Sequence, residues 1–370
     1  MGTSRATAIG TADYATRFPK ILPHYRTILG LKAAPVGVGT YLGETDDETD
    51  RAYEAALKVA LLGGLNLVDT AVNYRFQRGE RCIGRVLNQL FRSGELRREE
   101  VIVATKGGYI TFDGALPANP REWFDKTYVA TGIVDPSDLV DGTHCLTPRW
   151  LETMLQTSLR NLGLDAVDIY YLHNPEQQLE EVNRAEFTDR LRRAFELLET
   201  KVQEGKIGVY GAATWNGFRM PPGHQSYLSL EELLGIAFDV GGDDHHFRVI
   251  QLPYNLAMPE ALTAINQTTL AGEGSPLAAA GAMNIAVCAS ASLLQGRLSN
   301  KLPPIVAEAF SGLSTDAQRA VQFVRSTPGV DVALVGMKSV AHVREMLDLA
   351  AHPPAPFDAL MKLFKQGGES

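Results

Sequence analysis

The chain has 370 residues, 45% of them hydrophobic, with 35 Lys plus Arg set against 43 Asp plus Glu for a formal charge of −8. That is apolar material for a sizeable core, at a length above the usual single-domain mode but within the range of an elaborated barrel. The absence of any dense basic block disfavours nucleic acid and anionic membrane as partners, and three cysteines without metal-type spacing (Cys82, Cys145, Cys288) suit a reducing compartment, the cytoplasm, better than a disulfide framework.

The first thirty residues carry Arg5, Arg17 and Lys20 without a sustained apolar segment, which argues against a secretory signal. Residues 1–27 are read as an N-terminal extension and 28–370 as one domain. The first strand is expected over 33–38. A helix over 52–62 follows from the stripe Tyr53, Ala56, Leu57, Ala60 and Leu61, and Gly63-Gly64 stops it. Buried apolar runs then recur at Leu65-Asn-Leu-Val68, Val101-Ile-Val-Ala-Thr105 and Val167-Asp-Ile-Tyr-Tyr-Leu172. Between the last two, Thr147 and Pro148 open a helix through Leu151, Leu155 and Leu159 that ends at Gly163, and another helix is expected over 187–205. Further strands are expected over 207–212, 247–252, 285–289 and 332–335. The most apolar stretch, 276–294, is interrupted by Asn284 and rich in Ala, Gly and Ser, so a membrane span is disfavoured.

Eight near-continuous apolar strands, mostly followed by helices, predict a closed parallel (β/α)8 barrel, the TIM-barrel class of α/β folds. A doubly wound sheet would need a dinucleotide fingerprint. The nearest candidate, Gly37-Val-Gly39-Thr-Tyr-Leu-Gly43, has its third glycine one residue late and opens no helix. In a barrel, chemistry gathers where strands end. Asp243, Asp244, His245 and His246 precede a strand and are therefore read as a solvated turn, with no metal site expected. Asp69 and Tyr74, Lys106 and His173 all follow strands. A buried Lys106 requires a carboxylate partner, and Asp69 on the preceding strand supplies one. Alone, that pair suits a structural tie as well as a reactive site. Tyr74 and His173 turn it into a proton-donating group suited to carbonyl reduction.

Asp69-Thr-Ala-Val-Asn-Tyr74, Thr105-Lys106, Thr157-Ser-Leu-Arg-Asn-Leu-Gly-Leu-Asp165 and Asp168-Ile-Tyr-Tyr-Leu-His173 together resemble the aldo-keto reductase family. The likeness continues through Gly205-Lys-Ile-Gly208, Gln251-Leu-Pro-Tyr-Asn255 and Leu294-Gln-Gly-Arg-Leu298. The resemblance implies a catalytic tetrad of Asp69, Tyr74, Lys106 and His173 and an NADP-dependent reduction of aldehydes or ketones to alcohols, or the reverse. Tyr74 would be the general acid. The implied partners are the cofactor, NADP(H) in preference to NAD(H), and a small carbonyl or alcohol.

For the cofactor, the resemblance implies contacts from Gly39, Thr40, Asp69 and Asn174, from Thr214 and Gln251, and from Leu293, Gln295 and Gly296. Gly336-Met-Lys-Ser339 is expected to hold phosphate, with Ser339 capping a helix from Val340 and Lys338 suited to a 2'-phosphate. His342 and Glu345 fall at the adenine end. Three positions depart from the family pattern: Ala213 and Thr214 stand where many relatives have Ser-Asn, and Ser290 stands where an aromatic residue often stacks on nicotinamide. Two insertions are expected, near 107–146 and 218–229. The first carries Trp123, Phe124 and Tyr128, which suit either a pocket lining or the packing of a lid onto the barrel. Two other readings stay open: an NADP-binding regulatory or sensory barrel with little turnover, and a Schiff-base lyase or aldolase using Lys106.

Overall fold

A computed structural model describes residues 4–269 and 272–365 of the chain. Eight parallel strands close into a ring: β1 (Val36–Gly39), β2 (Leu67–Asp69), β3 (Ile102–Gly107), β4 (Val167–His173), β5 (Ile207–Ala213), β6 (Phe247–Pro253), β7 (Ala286–Ser290) and β8 (Val332–Gly336). Each strand pairs with its successor in the chain, and β8 returns to β1 through Ala333 opposite Val36. This is the expected (β/α)8 barrel. Its strands carry unbroken apolar runs because both faces are covered: all of β3 is buried, as is β4 up to His173.

The outer layer comprises α1 (Asp47–Gly63), α2 (Arg78–Ser93), α3 (Pro148–Leu162), α4 (Arg184–Gln203), α5 (Leu230–Gly241), α6 (Pro276–Ala282), α7 (Asp316–Ser326) and α8 (Val340–Ala350). In α1 the predicted stripe of Tyr53, Ala56, Leu57, Ala60 and Leu61 is the buried face, and Gly64 ends the helix at φ 115°. The helix begins earlier than its apolar period suggests because the Asp46 side chain accepts the Thr49 N–H. Asn183 likewise starts α4 three residues before the expected Phe187.

The expected first strand is wrong at its start. Ala33 ends a separate hairpin, Arg26–Ile28 paired with Leu31–Ala33, whose turn residues Leu29 and Gly30 have φ of 54° and 77°. Ile28 and Ala33 pack with Leu67, Ile102, Ile169, Val249 and Val332, so the hairpin closes the barrel at the ends where its strands begin. The boundary expected between residues 27 and 28 falls inside this hairpin. Upstream, the helix Ala8–Thr16 lies on the barrel wall, with Tyr14 fully buried and donating to the Leu61 carbonyl at 2.5 Å.

In the segment after β3, Phe124 and Tyr128 pack with Val72, Val134, Trp150 and Met154, while Trp123 stands edge-on to Phe112. The aromatic cluster thus fastens the insertion to the barrel. In the segment after β5, Phe218 is fully buried and Tyr227 donates to the Asn266 carbonyl at 2.7 Å. At the opposite rim, the turn before β6 is less solvated than expected: His245 is buried, and Glu199 accepts both the backbone N–H and Nδ1 of His246. Among the described residues there is no group of His, Cys, Asp and Glu able to hold a metal ion, and no helix long and apolar enough to cross a membrane.

Candidate active site

Asp69 and His173 are the last residues of β2 and β4 and Lys106 is the last but one of β3, and the barrel's stagger brings the three to one rim. Lys106 is wholly buried, and its Nζ donates to Asp69 Oδ1 at 2.6 Å, to the Thr70 carbonyl at 2.8 Å and to Tyr74 Oη at 3.2 Å. Those bonds use all three ammonium hydrogens. The second Asp69 oxygen accepts Gln251 Nε2 at 2.8 Å. His173 stands across from Tyr74, edge-on, with ring centroids 5.7 Å apart. The structure therefore brings together the four residues singled out for proton transfer.

Burial alone would lower the Lys106 pKa, but the Asp69 carboxylate and the hydrogen bonds to Asp69 and Tyr74 leave it raised. For Tyr74, burial pushes the phenol up, Lys106 opposes it, and the net shift is upward. Tyr74 is therefore a protonated phenol at neutral pH. His173 is lowered well below an ordinary imidazole, by burial first and then by the Lys106 charge, and is neutral.

A cavity of about 840 Å³ runs from this group to the start of α8, within the roughly 300–1,000 Å³ range of small-molecule and cofactor sites. Near Tyr74 and His173 it is lined by Gly39, Thr40, Asp69 and Asn174, with Thr214 and Gln251 beyond them. Leu293, Gln295 and Gly296 line it after β7, on a tight turn in which Leu294 and Gln295 have φ of 45° and 56°. Gly336, Lys338, His342 and Glu345 line its far end. Ser339 is not part of the lining; its hydroxyl caps α8 by accepting the Ala341 N–H at 3.2 Å. Lys338 is exposed and makes no ion pair among the described residues. Glu345 accepts a hydrogen bond from the Thr315 hydroxyl. Thr214 donates its N–H to the Gln251 carbonyl at 2.8 Å, and Ser290 also borders the cavity.

The family model described as Aldo/keto reductase family matches residues 35–219, half of the chain. The chain belongs to the aldo/keto reductase family. Among individual relatives, the uncharacterized oxidoreductase YrpG of Bacillus subtilis is 21% identical over 325 residues, covering 86% of this chain and 87% of that protein. The D-threo-aldose 1-dehydrogenase of a Pseudomonas species is 29% identical over 183 residues, covering 50% of this chain and 48% of its own length. A crystal structure of an aldo/keto reductase from Klebsiella pneumoniae in complex with NADP and acetate shares the fold at a TM-score of 0.62 and 21% identity, covering 93% of this chain and 94% of that one.

This aldo/keto reductase has cavity residues that the sequence pattern did not single out. Tyr41 packs edge-on against Tyr74 with centroids 4.9 Å apart, and Asn73, Tyr109 and Trp215 complete the mouth. Tyr109 lies two residues past the end of β3, so the rule that chemistry gathers at strand ends would have found it. Trp215 is placed by a buried carboxylate: Glu176 Oε1 accepts the backbone N–H groups of Trp215, Asn216 and Gly217 at 2.7, 2.9 and 3.2 Å. No short motif signals that contact, because the donors are main-chain groups on another loop.

Proposed function

We propose that this aldo/keto reductase is NADP-dependent and reduces aldehyde or ketone carbonyls to alcohols, or runs the reverse reaction, with Tyr74 as general acid. The observation that carries the reading is the disposition of the Lys106 hydrogens. With all three committed to Asp69, Thr70 and Tyr74, the ammonium has none for a substrate, and the Tyr74 oxygen, already an acceptor, keeps its own hydrogen free to donate.

NADPH, when bound, supplies the hydride that adds to the carbonyl carbon. Tyr74 gives its proton to the carbonyl oxygen, Lys106 stabilises the phenolate left behind, and Asp69 holds Lys106 charged and in place. Neutral His173 hydrogen-bonds the oxygen as negative charge builds on it.

The residues present fit a nicotinamide dinucleotide. One cavity joins Tyr74 to the start of α8, and a side chain added at Gly336 would meet nothing within 4 Å, leaving open backbone there. Gly39, Thr40, Asn174, Thr214 and Gln251 would hold the nicotinamide end. Gln251, whose amino group is committed to Asp69, offers its carbonyl oxygen as acceptor. Leu293, Gln295 and Gly296 would flank the pyrophosphate. Gly336, His342 and Glu345 would hold the adenosine end, with Ser339 acting only as the cap of α8, and the free cation of Lys338 favours a 2'-phosphate, hence NADP over NAD.

The lyase alternative needs a neutral, accessible amine at Lys106, whereas this amine is fully buried and its pKa is raised against Asp69. The deciding experiment is NADPH and NADH oxidation screened against aldehydes, ketones and sugars, beside cofactor binding measured by fluorescence. Carbonyl-dependent NADPH consumption is expected. Tight NADPH binding with no consumption on any carbonyl would select the regulatory barrel instead.

A further inference from the structure

The insertion after β3 is zipped at its neck. Tyr109 forms a β-bridge with His144, the Ile110 N–H donates to the Thr143 carbonyl at 2.8 Å, and the Cys145 N–H donates to the Gly108 carbonyl at 2.9 Å. This neck lies on the end of β4. His144, fully buried, has Nε2 2.7 Å from the main-chain carbonyl oxygen of His173, and Asn174 Nδ2 donates to Tyr109 Oη at 2.8 Å. Two successive residues of the cavity wall are thus bound to the insertion. The approach is close enough to require glycine beside it: at Gly108, φ is +146° and an added Cβ would lie 2.8 Å from His144 Nε2 and 3.0 Å from the His173 oxygen.

The direction of the His144 bond follows from its neighbours. Arg190 Nη1 donates to Gln178 Oε1 at 2.6 Å, which turns the Gln178 amino group toward His144 Nδ1 at 2.8 Å. Reversing that amide would set donor against donor at Arg190. His144 Nδ1 therefore accepts, and the ring hydrogen sits on Nε2, pointing at the His173 carbonyl.

His173 needs such support. Its Nδ1 is buried with no hydrogen-bond partner among the described residues, so no polar contact at that atom orients the ring. Its orientation falls to the main chain and to ring contacts with Tyr74 and Tyr109, the latter 4.9 Å between centroids and edge-on. Tyr109 meets His144 at the same 4.9 Å.

We propose that His144 is a positioning residue for His173: its Nε2–H holds the His173 main chain and, with Tyr109, fixes the height and tilt of the His173 ring at the cavity. The kinetic consequence rests on the reductase reading; the hydrogen-bond relay does not. His144→Gln keeps an N–H donor near the Nε2 position, whereas His144→Phe fills the space without one. The first measurement is long-range proton–nitrogen correlation of the histidine rings in the full chain. Expected are a protonated Nε2 and bare Nδ1 at His144, and His173 resonances displaced in His144→Phe but close to wild type in His144→Gln. His144→Leu, a smaller donor-free side chain, should displace the same resonances and covers the case in which His144→Phe does not fold.

In turnover, His144→Phe is expected to lower kcat on the order of 10- to 100-fold with NADPH affinity unchanged, and His144→Gln to recover most of the loss. A hydrogen on His144 Nδ1, His173 resonances unmoved by the donor-free variants, or equal kcat losses in His144→Phe and His144→Gln would each overturn the proposal. A wild-type chain inactive on every carbonyl would defeat the reductase reading, while the ring spectra would still decide this one.

Discussion

Gln251 reaches from β6 to the second carboxylate oxygen of Asp69 at 2.8 Å while Lys106 holds the first at 2.6 Å, so the carboxylate is pinned from both sides. Removing the cation alone would leave a buried, uncompensated charge. Lys106→Met is accordingly expected to destabilise the fold by about 3–5 kcal/mol, read as a lowered urea midpoint. Lys106→Met with Asp69→Leu should regain most of that stability without regaining turnover. A single substitution as stable as wild type would mean that Asp69 does not depend on Lys106.

Tyr74→Phe keeps the ring against Tyr41 and His173 and deletes the hydroxyl that accepts from Lys106. Carbonyl reduction should fall by about 10²-fold or more, with NADPH binding retained in a fluorescence titration. Undiminished turnover would remove Tyr74 from its role.

Lys338 is exposed and free of ion pairs among the described residues, so its charge is available to a ligand. Lys338→Ala should weaken NADPH by roughly 10- to 100-fold, the worth of one hydrogen bond to a charged group, and leave NADH little changed. Parallel losses for both cofactors would argue against a 2'-phosphate contact.

His144 has its pKa lowered to about 4, by burial above all, with the bond to the His173 carbonyl acting in the opposite sense. An unfolded imidazole, near 6.5, takes up a proton that the folded ring refuses. The stability due to the neutral ring is therefore complete above about pH 6.5 and is lost as the pH falls from there through about 4, a difference of about 3 kcal/mol. His173 is lowered as well and acts in the same direction. Urea midpoints taken at pH 7 and pH 5 should drop less for His144→Gln than for wild type. Identical drops would show that His144 is not the titrating group.

Much of this architecture can be read from residues alone. Runs such as Val101-Ile-Val-Ala-Thr105 are unbroken because β3 is covered on both faces, and the polar residue that ends each run marks the reactive rim. The hairpin before β1 is harder to see: its turn is Leu29-Gly30, without the Asn or Asp that usually signals one, and apolar Ala33-Ala34 runs straight into the barrel. The turn after Tyr74 is hidden for a related reason. Arg75, Phe76 and Gln77 all adopt positive φ, of 51°, 53° and 74°, a conformation unusual for residues other than glycine. Tertiary contacts hold it, with Arg75 bonded to the Glu44 carbonyl and to the Asp50 carboxylate and Gln77 to the Phe112 carbonyl. His144 escapes sequence reasoning because its partner is a main-chain oxygen 29 residues away.

The hairpin packed beneath the barrel makes its two rims unlike. With Ile28 and Ala33 packed across that end, the described cavity lies at the opposite rim, where Tyr74 and His173 line it.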